Sequence, residues 1–272
     1  MREAIIFLAA PFVMSLILAG IHCYLGLHVL ERGIIFVDLS LAQVAAFGIA
    51  LGLLLGFEPH STAVYFFSLF MTFIASGIFA LSRRHESIFP QEAVIGIMFA
   101  LSSAAVVVAA ERMAHGLDYV KDLLAGQILW VTWGDVLRTA VIYAVVGAIH
   151  YIYRRQFIEA SFNKKAGKTM FWDLMFYILF GVVITSSVSI AGVLQVFSYL
   201  IVPSLVSTLF YKTIKARLLF GWAFGFLMSL VALALSYKLD LPTGPFIVVC
   251  FASVPVLLLL YTSLSVAIKE YM

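Results

Sequence analysis

The chain has 272 residues, of which 64% are apolar and only 11% are charged. Soluble domains average about 45–50% apolar and about 25% charged residues, so this composition excludes a soluble globular protein and a disordered chain. A net charge of +3 gives no indication of nucleic-acid binding, and two cysteines, Cys23 and Cys250, are too few for a disulfide-rich scaffold. The composition therefore predicts an integral membrane protein.

The apolar residues occur in runs of roughly 20, the length that one helix needs to cross a bilayer. We predict an all-α bundle of about nine membrane-spanning helices, with eight as the alternative count, in one transmembrane domain that covers residues 1–272. The nine predicted spans are Ala4–Leu30, Gly33–Gly56, Thr62–Ser82, Pro90–Ala110, Val136–Tyr153, Met170–Ser189, Ile190–Tyr211, Leu218–Tyr237 and Gly244–Ile268. Pro90 suits the first position of its helix because it has no N–H to leave unpaired.

Two stretches need separate treatment. Leu174–Tyr211 contains no charged residue and is too long for one span, so we place a break at its small polar centre, Thr185–Ser189. Val120–Trp133 is short and begins beside charged residues. We predict a re-entrant or interfacial segment there, held by its two tryptophans, Trp130 and Trp133, near the lipid headgroups.

Lysine and arginine are unequally divided between the two sides of the predicted bundle. With the N-terminus outside, the inner side holds Arg32, Arg83, Arg84, Arg154, Arg155, Lys164, Lys165, Lys168, Lys212, Lys215, Arg217 and Lys269, and the outer side holds Arg2, Arg112, Lys121, Arg138 and Lys238. Because cytoplasmic loops are enriched in basic residues, this division predicts an outer N-terminus and a cytoplasmic C-terminus. The first apolar run is too long for a cleavable signal and should remain as the first span.

Acidic side chains inside predicted spans are the strongest functional signal, because burying a carboxylate in hydrocarbon costs several kcal/mol. Asp38 lies in the second span and Glu92 in the fourth. Both lie roughly one turn inside the predicted cytoplasmic boundary, and we expect them to converge on one site near a dimer axis. The alternative is that each reaches the membrane interface with its polar end or forms an ion pair with Arg32, Arg83 or Arg84.

Other motifs indicate no enzymatic chemistry. Gly167–Thr169 matches the end of a phosphate-binding loop, but Phe162 stands where that motif needs glycine, so no ATP site is visible. His22 and His28 in the first span are candidate metal ligands, although a single buried histidine is more often a packing residue. The chain has neither an H-E-x-x-H nor a Cys-x-x-Cys motif.

Four stretches, in this order, resemble the membrane subunits of ATP-binding-cassette importers for zinc, manganese and related divalent metals. They are RGIIFVDLSLAQVAAFG at 32–48, QEAVIGIMFA at 91–100, GVLQVFSYLIVPSLVS at 192–207 and SYKLDLPTGP at 236–245. DLLAGQIL at 122–129 is a weaker match. Together they extend over most of the chain, from about residue 30 to about residue 260.

The resemblance implies a homodimeric permease in the cytoplasmic membrane of a prokaryote. Each copy would bind a cytoplasmic ATP-binding subunit, and an extracytoplasmic metal-binding protein would deliver the ion. The metal is the substrate, and no tightly bound cofactor is implied. The segment Ser204–Arg217 would carry the helix that docks on the ATP-binding subunit, with Ser204, Thr208, Tyr211 and Lys212 as coupling residues.

The second-helix stretch departs from the family motif G-D-A-L-S-H-A-x-L-P-G, in which histidine lies four residues after aspartate, on the same helix face. Here Ala42 and Gln43 follow Asp38, and Gly48 lies one residue further along than in the family. On a regular helix Gln43 points about 140° away from Asp38, whereas a π-bulge would bring it to the same face. Since an amide is a poor zinc ligand and a tolerable manganese ligand, the metal stays open.

The leading hypothesis is therefore a permease subunit for a divalent metal ion, with Asp38, Gln43 and Glu92 on its route and His22 or His28 as replacements for the missing imidazole. A permease for a metal chelate or a cobalamin-like ligand is the alternative within the class. A stand-alone ion-coupled secondary transporter is the alternative outside it. In the outer loops we expect Glu58, His60 and Asp240 near the delivery protein or the mouth of the route.

Overall fold

The computed structural model describes residues 2–59, 61–113, 116–163 and 170–271, which leaves out His60, Lys164, Lys165 and the motif at Gly167–Thr169 with its Lys168. Every regular element in the described residues is helical, as predicted. The helices are α1 (Arg2–Arg32), α2 (Val37–Leu54), α3 (Thr62–Arg84), α4 (Gln91–Ala110), α5 (Gly116–Ala125), α6 (Trp133–Ile152), α7 (Arg154–Phe162), α8 (Met170–Phe210), α9 (Ile214–Leu239) and α10 (Thr243–Tyr271), with a 3-10 turn at Ile128–Trp130. Pro90 precedes α4 as its N-cap instead of being its first residue.

Within the described residues, eight helices are long and apolar enough to cross a membrane. One of them, α8, has 41 residues and contains Gly192 with non-helical torsion angles, φ 74° and ψ 163°. A straight helix of that length would extend for about 60 Å, twice the roughly 30 Å of a hydrocarbon core. The chain therefore changes direction at Gly192, and α8 consists of two spans.

Contacts at the two ends of α8 establish that its halves are antiparallel. Asp173, near the start of α8, pairs with Arg32 in the last turn of α1 at 2.9 Å. Beyond the other end, the carbonyl of Tyr211 accepts a hydrogen bond from Arg217, whose guanidinium also pairs with Glu31 at 2.7 Å. Because both ends of α8 meet the same turn of α1, the described chain makes nine crossings, in agreement with the prediction.

The predicted position of the break was wrong. The residues of Thr185–Ser189 are helical, and their hydroxyls bond to carbonyls one turn earlier or to neighbouring helices. The hydroxyl of Thr185 lies 3.1 Å from that of Thr72 in α3. Small hydroxyl residues can therefore remain in a buried helix. The reversal takes place at Gly192 because that residue adopts a positive φ without a steric penalty.

The segment around α5 packs against this reversal and does not cross the membrane. Its ten helical residues extend for about 15 Å, half of a hydrocarbon core. The backbone N–H of Gln127 donates to the carbonyl of Ile190 at 3.0 Å. A Cβ placed on Gly126 would lie 2.1 Å from the carbonyl of Ala191, so the two segments touch backbone to backbone. Trp130 and Trp133 are exposed at this end, as expected for interfacial residues.

Helix α2 packs against α3, α4 and α8. Its close approach to α3 depends on Gly48, where a Cβ would lie 2.5 Å from the Cα of Ser68. The hydroxyl of Ser68 donates to the carbonyl of Ala45 at 2.8 Å across the same contact. Asp38 is therefore carried by a helix that packs against three others.

Candidate translocation site

The position of Asp38 depends on how α1 ends. Gly33, with φ 72°, terminates α1 in a Schellman motif, in which its N–H donates to Leu30 and the N–H of Ile34 donates to Val29. A short turn follows, and α2 begins at Val37. Asp38 therefore lies in the first turn of α2, where the helix dipole favours a negative charge.

Asp38 is enclosed by the protomer itself. Its exposed fraction is 1%, and neither carboxylate oxygen has a hydrogen-bond partner in the described part of the chain. An ionised carboxylate in such a place is uncompensated, because buried charges in proteins are otherwise paired or bound to a metal. Because a single copy of the chain already covers Asp38, this side chain is not part of a surface that is open to a second copy.

Glu92 meets the same region from α4. It lies in the first turn of that helix and is half-buried. Its Oε1 accepts a hydrogen bond from the backbone N–H of Phe36 at 3.3 Å, whereas its Oε2 is buried with no hydrogen-bond partner in the described residues. Since Phe36 is the N-cap of α2, this bond places Glu92 next to the turn that carries Asp38. The structure thus brings the two predicted carboxylates to the same end of the bundle.

Arg32, the nearest arginine in sequence, is engaged elsewhere. Its Nη1 donates to Asp173 at 2.9 Å and its Nε donates to the hydroxyl of Ser161 at 2.8 Å. Asp173 also pairs with Arg83, so one carboxylate joins two arginines where α1, α3 and α8 meet. The alternative in which Arg32 neutralises Asp38 is therefore absent from the structure.

Sequence reasoning missed this cluster of Asp173, Arg32 and Arg83. The signal was present, because Asp173 lies at the start of a predicted span, on the side that holds Arg32 and Arg83. Its exposed fraction is 3%, and the cluster provides the partner for a carboxylate that would otherwise be buried alone. The two arginines therefore explain why Asp173 can be buried, whereas Asp38 has no such partner in the described residues.

Gln43 does not share a face with Asp38. Helix α2 is continuous and α-helical from Val37 to Leu54, without the π-bulge that would align the two side chains. Gln43 is buried, about 140° around the helix from Asp38. The regular geometry instead puts Ala42, four residues after Asp38, on the face where the family motif has histidine.

The two candidate histidines are held by other groups. His22 has both ring nitrogens engaged, with Nδ1 2.7 Å from the carbonyl of Leu18 and Nε2 3.2 Å from the hydroxyl of Ser187. His28 lies beside the arginine cluster, with Nδ1 2.9 Å from the hydroxyl of Ser161 and Nε2 buried without a hydrogen-bond partner in the described residues. No group of three or more His, Cys, Asp or Glu side chains that could hold a metal occurs in the described ranges.

The predicted docking helix at Ser204–Arg217 is not a separate element. Ser204 is fully buried inside α8, where a Cβ on Gly26 of α1 would lie 2.5 Å from its hydroxyl. Thr208 is half-buried in the same helix. The exposed residues of this region are Leu209 and Phe210 at the end of α8, Tyr211, Lys212 and Thr213 in the short loop before α9, and Lys215 in the first turn of α9.

On the opposite face, Glu58 and Asp240 are exposed in the loops where they were expected, and His60 lies outside the described residues. Asp240 caps α9 in the left-handed conformation, with φ 53°. No hydrogen bond described above joins Glu58 or Asp240 to Asp38 or Glu92.

Several known proteins are similar to this chain over most of its length. A chain in the solved structure of PsaBC from Streptococcus pneumoniae in complex with Fab has the same fold, with a TM-score of 0.74 at 20% identity, covering 91% of this chain and 88% of that one. "Manganese import system permease protein ScaB" of Streptococcus gordonii is 22% identical over 256 residues, which is 90% of this chain and 88% of that protein. "Probable iron transport system membrane protein" of Haemophilus influenzae is 25% identical over 266 residues, which is 95% and 93%.

A family model described as "ABC 3 transport family" matches residues 4–262. The match includes all four stretches from which the resemblance was drawn, and the resemblance is thereby confirmed. These two relatives match most of the chain at low identity. The chain belongs to the ABC 3 transport family.

Proposed function

We propose that the chain is the membrane permease of an ATP-driven importer for a divalent transition-metal ion, manganese or zinc. The observation that carries this proposal is Asp38, a fully buried carboxylate with neither oxygen bonded to protein in the described residues. A carboxylate inside a membrane protein normally faces a partner or an ion pathway. Membership of the family and the iron and manganese transport for which its relatives are named support a metal ion as that partner.

Asp38 and Glu92 form a transient waypoint in this proposal. Each lies in the first turn of its helix, where the dipole favours a negative charge that attracts a cation. The waypoint lies inside each protomer, between α2 and α4, because the protomer alone already encloses Asp38. The predicted position near a dimer axis stays a prediction, since it depends on how two copies associate. An incomplete set of two carboxylates suits transport, because an ion held by a full shell would not leave.

The donor atoms favour manganese over zinc. Carboxylate oxygens suit manganese, whereas zinc sites in proteins usually include imidazole or thiolate ligands beside any carboxylate. His22 has both nitrogens engaged, and Gln43 points away from Asp38. In this proposal neither His22 nor Gln43 completes the site beside Asp38, and His28 lies beside the arginine cluster instead.

The partners and the orientation belong to the same proposal. Two copies of the chain form the permease, a pair of cytoplasmic ATP-binding subunits supplies the energy, and an extracytoplasmic metal-binding protein delivers the ion. The exposed loop from Leu209 to Thr213 lies at the end of the bundle that carries Arg32, Arg83 and Arg217. Since basic residues mark cytoplasmic loops, this end faces the cytoplasm and the ATP-binding subunits.

Uptake by the reconstituted transporter tests the proposal. The permease and its ATP-binding subunit are placed in proteoliposomes with ATP on the side of the basic loops, and radioactive manganese or zinc is supplied on the other side with the delivery protein. We expect ATP-dependent accumulation that the second metal inhibits in competition. Accumulation without the ATP-binding subunit, or accumulation of a metal chelate in place of the ion, would contradict the proposal.

A further inference from the structure

We propose that the ion pair between Glu31 and Arg217 connects the exposed loop on the basic end to the turn between α1 and α2, which leads to Asp38 and bonds to Glu92. The inference rests on the proposed function, in which that loop contacts the ATP-binding subunit. Arg217 Nη1 lies 2.7 Å from Glu31 Oε1, and the two residues are 186 positions apart in the chain. This pair joins the first turn of α9 to the last turn of α1.

On one side, Arg217 holds the loop itself. Its Nε donates to the carbonyl of Tyr211 at 2.9 Å, so one guanidinium bonds to the loop and to α1 at the same time. The ring of Phe220 packs against the rings of Tyr211 and Phe210, with centroids 5.3 and 5.6 Å away. A displacement of Tyr211 therefore moves the start of α9 and the Arg217 side chain with it.

On the other side, the last turn of α1 is joined closely to the carboxylates. The Schellman motif at Gly33 fixes how the chain leaves α1, and the N–H of Val37 donates to the carbonyl of Ile34 at 3.1 Å within the following turn. The N–H of Phe36 then holds Glu92, and Asp38 lies two residues further on. A shift of the end of α1 is thus passed to both carboxylates through bonded neighbours.

Glu31 and Arg217 are suited to this role by their surroundings. Their side chains are 33% and 17% exposed, so the pair is partly screened from water and stronger than a fully exposed one. Arg32, the residue next to Glu31, bonds to Asp173 and Ser161, so it does not compete with Arg217 for the Glu31 carboxylate. Arginine donates from separate nitrogens, here Nε and Nη1, in a rigid fork, whereas lysine has a single donor nitrogen at the end of a flexible chain.

The number of metal ions imported per ATP hydrolysed tests the connection, measured with the complete transporter in proteoliposomes. Glu31→Ala and Arg217→Gln each break the pair. We expect each to lower this ratio roughly five-fold, the lower end of typical couplings between sites, while ATP hydrolysis continues. The double variant should show the same decrease as either single variant, because one connection can be broken only once.

Arg84→Gln is the matched control, because Arg84 is an arginine at the same end of the bundle that does not contact Glu31. This variant should keep the normal number of metal ions imported per ATP hydrolysed. A normal ratio in folded Glu31→Ala would overturn the connection, as would a double variant whose decrease is the product of the two single decreases. Glu31→Ala decides the question alone if Arg217→Gln does not fold. If the unaltered transporter imports no metal, the proposed function fails instead, so the two failures are distinguishable.

Discussion

The backbone N–H of Phe36 donates to the carboxylate of Glu92 at 3.3 Å, which joins the N-terminus of α2 to that of α4. This bond uses one oxygen of Glu92 and leaves the other buried without a hydrogen-bond partner in the described residues. Both carboxylate oxygens of Asp38 are likewise buried without a hydrogen-bond partner in the described residues. Three carboxylate oxygens at neighbouring helix N-termini therefore remain available to a cation.

Replacement of Asp38 by asparagine should impair transport and spare the fold. Asn keeps the size of the side chain and removes the charge, so we expect uptake at limiting metal to decrease about ten-fold or more, which corresponds to about 1.4 kcal/mol. The melting temperature should be equal or higher, because an unpaired buried charge opposes folding. Glu159→Gln, an exposed neutralisation on α7, is the control. Unchanged uptake by Asp38→Asn would exclude Asp38 from the route.

Histidine at position 42 should create a tighter metal site than histidine at position 43. Position 42 lies four residues after Asp38 on a regular helix, and the two side chains can hold one ion. We expect Zn²⁺ to raise the melting temperature of Ala42→His and to leave Gln43→His and the unaltered protein unchanged. Because Ala42 is buried, the variant should be less stable without metal, by about 1–3 kcal/mol. Stabilisation of Gln43→His alone would indicate a bulged α2.

Two glycines with the same backbone conformation should respond differently to alanine. Gly33 and Gly126 have φ of 72° and 70°, but a Cβ meets nothing within 4 Å at Gly33 and lies 2.1 Å from the carbonyl of Ala191 at Gly126. Gly33→Ala should cost only the conformational strain, about 1–2 kcal/mol. Gly126→Ala should add a backbone clash and lower the melting temperature much further. Equal decreases would show that the contact between α5 and α8 can open at little cost.

The arginine cluster predicts an asymmetry between its members. Asp173→Asn leaves Arg32 and Arg83 buried without their common counter-charge, and loss of one partner from a buried pair costs about 3–5 kcal/mol. Arg83→Gln leaves Asp173 paired with Arg32 and should be milder. Thermal unfolding of the two variants compares them directly. Equal effects would mean that Arg83 is the main partner of Asp173.

Labelling of single cysteines tests the orientation. In a variant without Cys23 and Cys250, Asn163→Cys at the end of α7 should resist an impermeant thiol reagent in intact cells and react after the membrane is opened. Lys121→Cys on α5 should react in intact cells. Both positions are exposed in the structure, so access to the reagent depends on the side of the membrane. The reverse pattern would invert the orientation of the whole chain.

Much of this protein can be predicted from the sequence because the physical effects concerned are local. The length of each apolar run sets the number of crossings, and the cost of a carboxylate in hydrocarbon singles out Asp38 and Glu92. The four ordered stretches identify the family for a similar reason, since each depends on neighbouring residues. The prediction of a non-crossing segment near residues 120–133 likewise depended on its short length and on the charged residues at its start.

The position of the chain reversal and the pairing of the buried charges depend on residues that are distant in sequence. Only the tertiary structure therefore decided them. The chain reverses at Gly192 and not at Thr185–Ser189, because the hydroxyls find partners on α1 and α3 while the backbone of Gly192 has to fit against Gly126. Arg32 bonds Asp173, 141 positions away, and so leaves Asp38 unpaired six residues away. Local patterns set which groups are costly to bury, and the packing of distant helices determines which of them receive a partner.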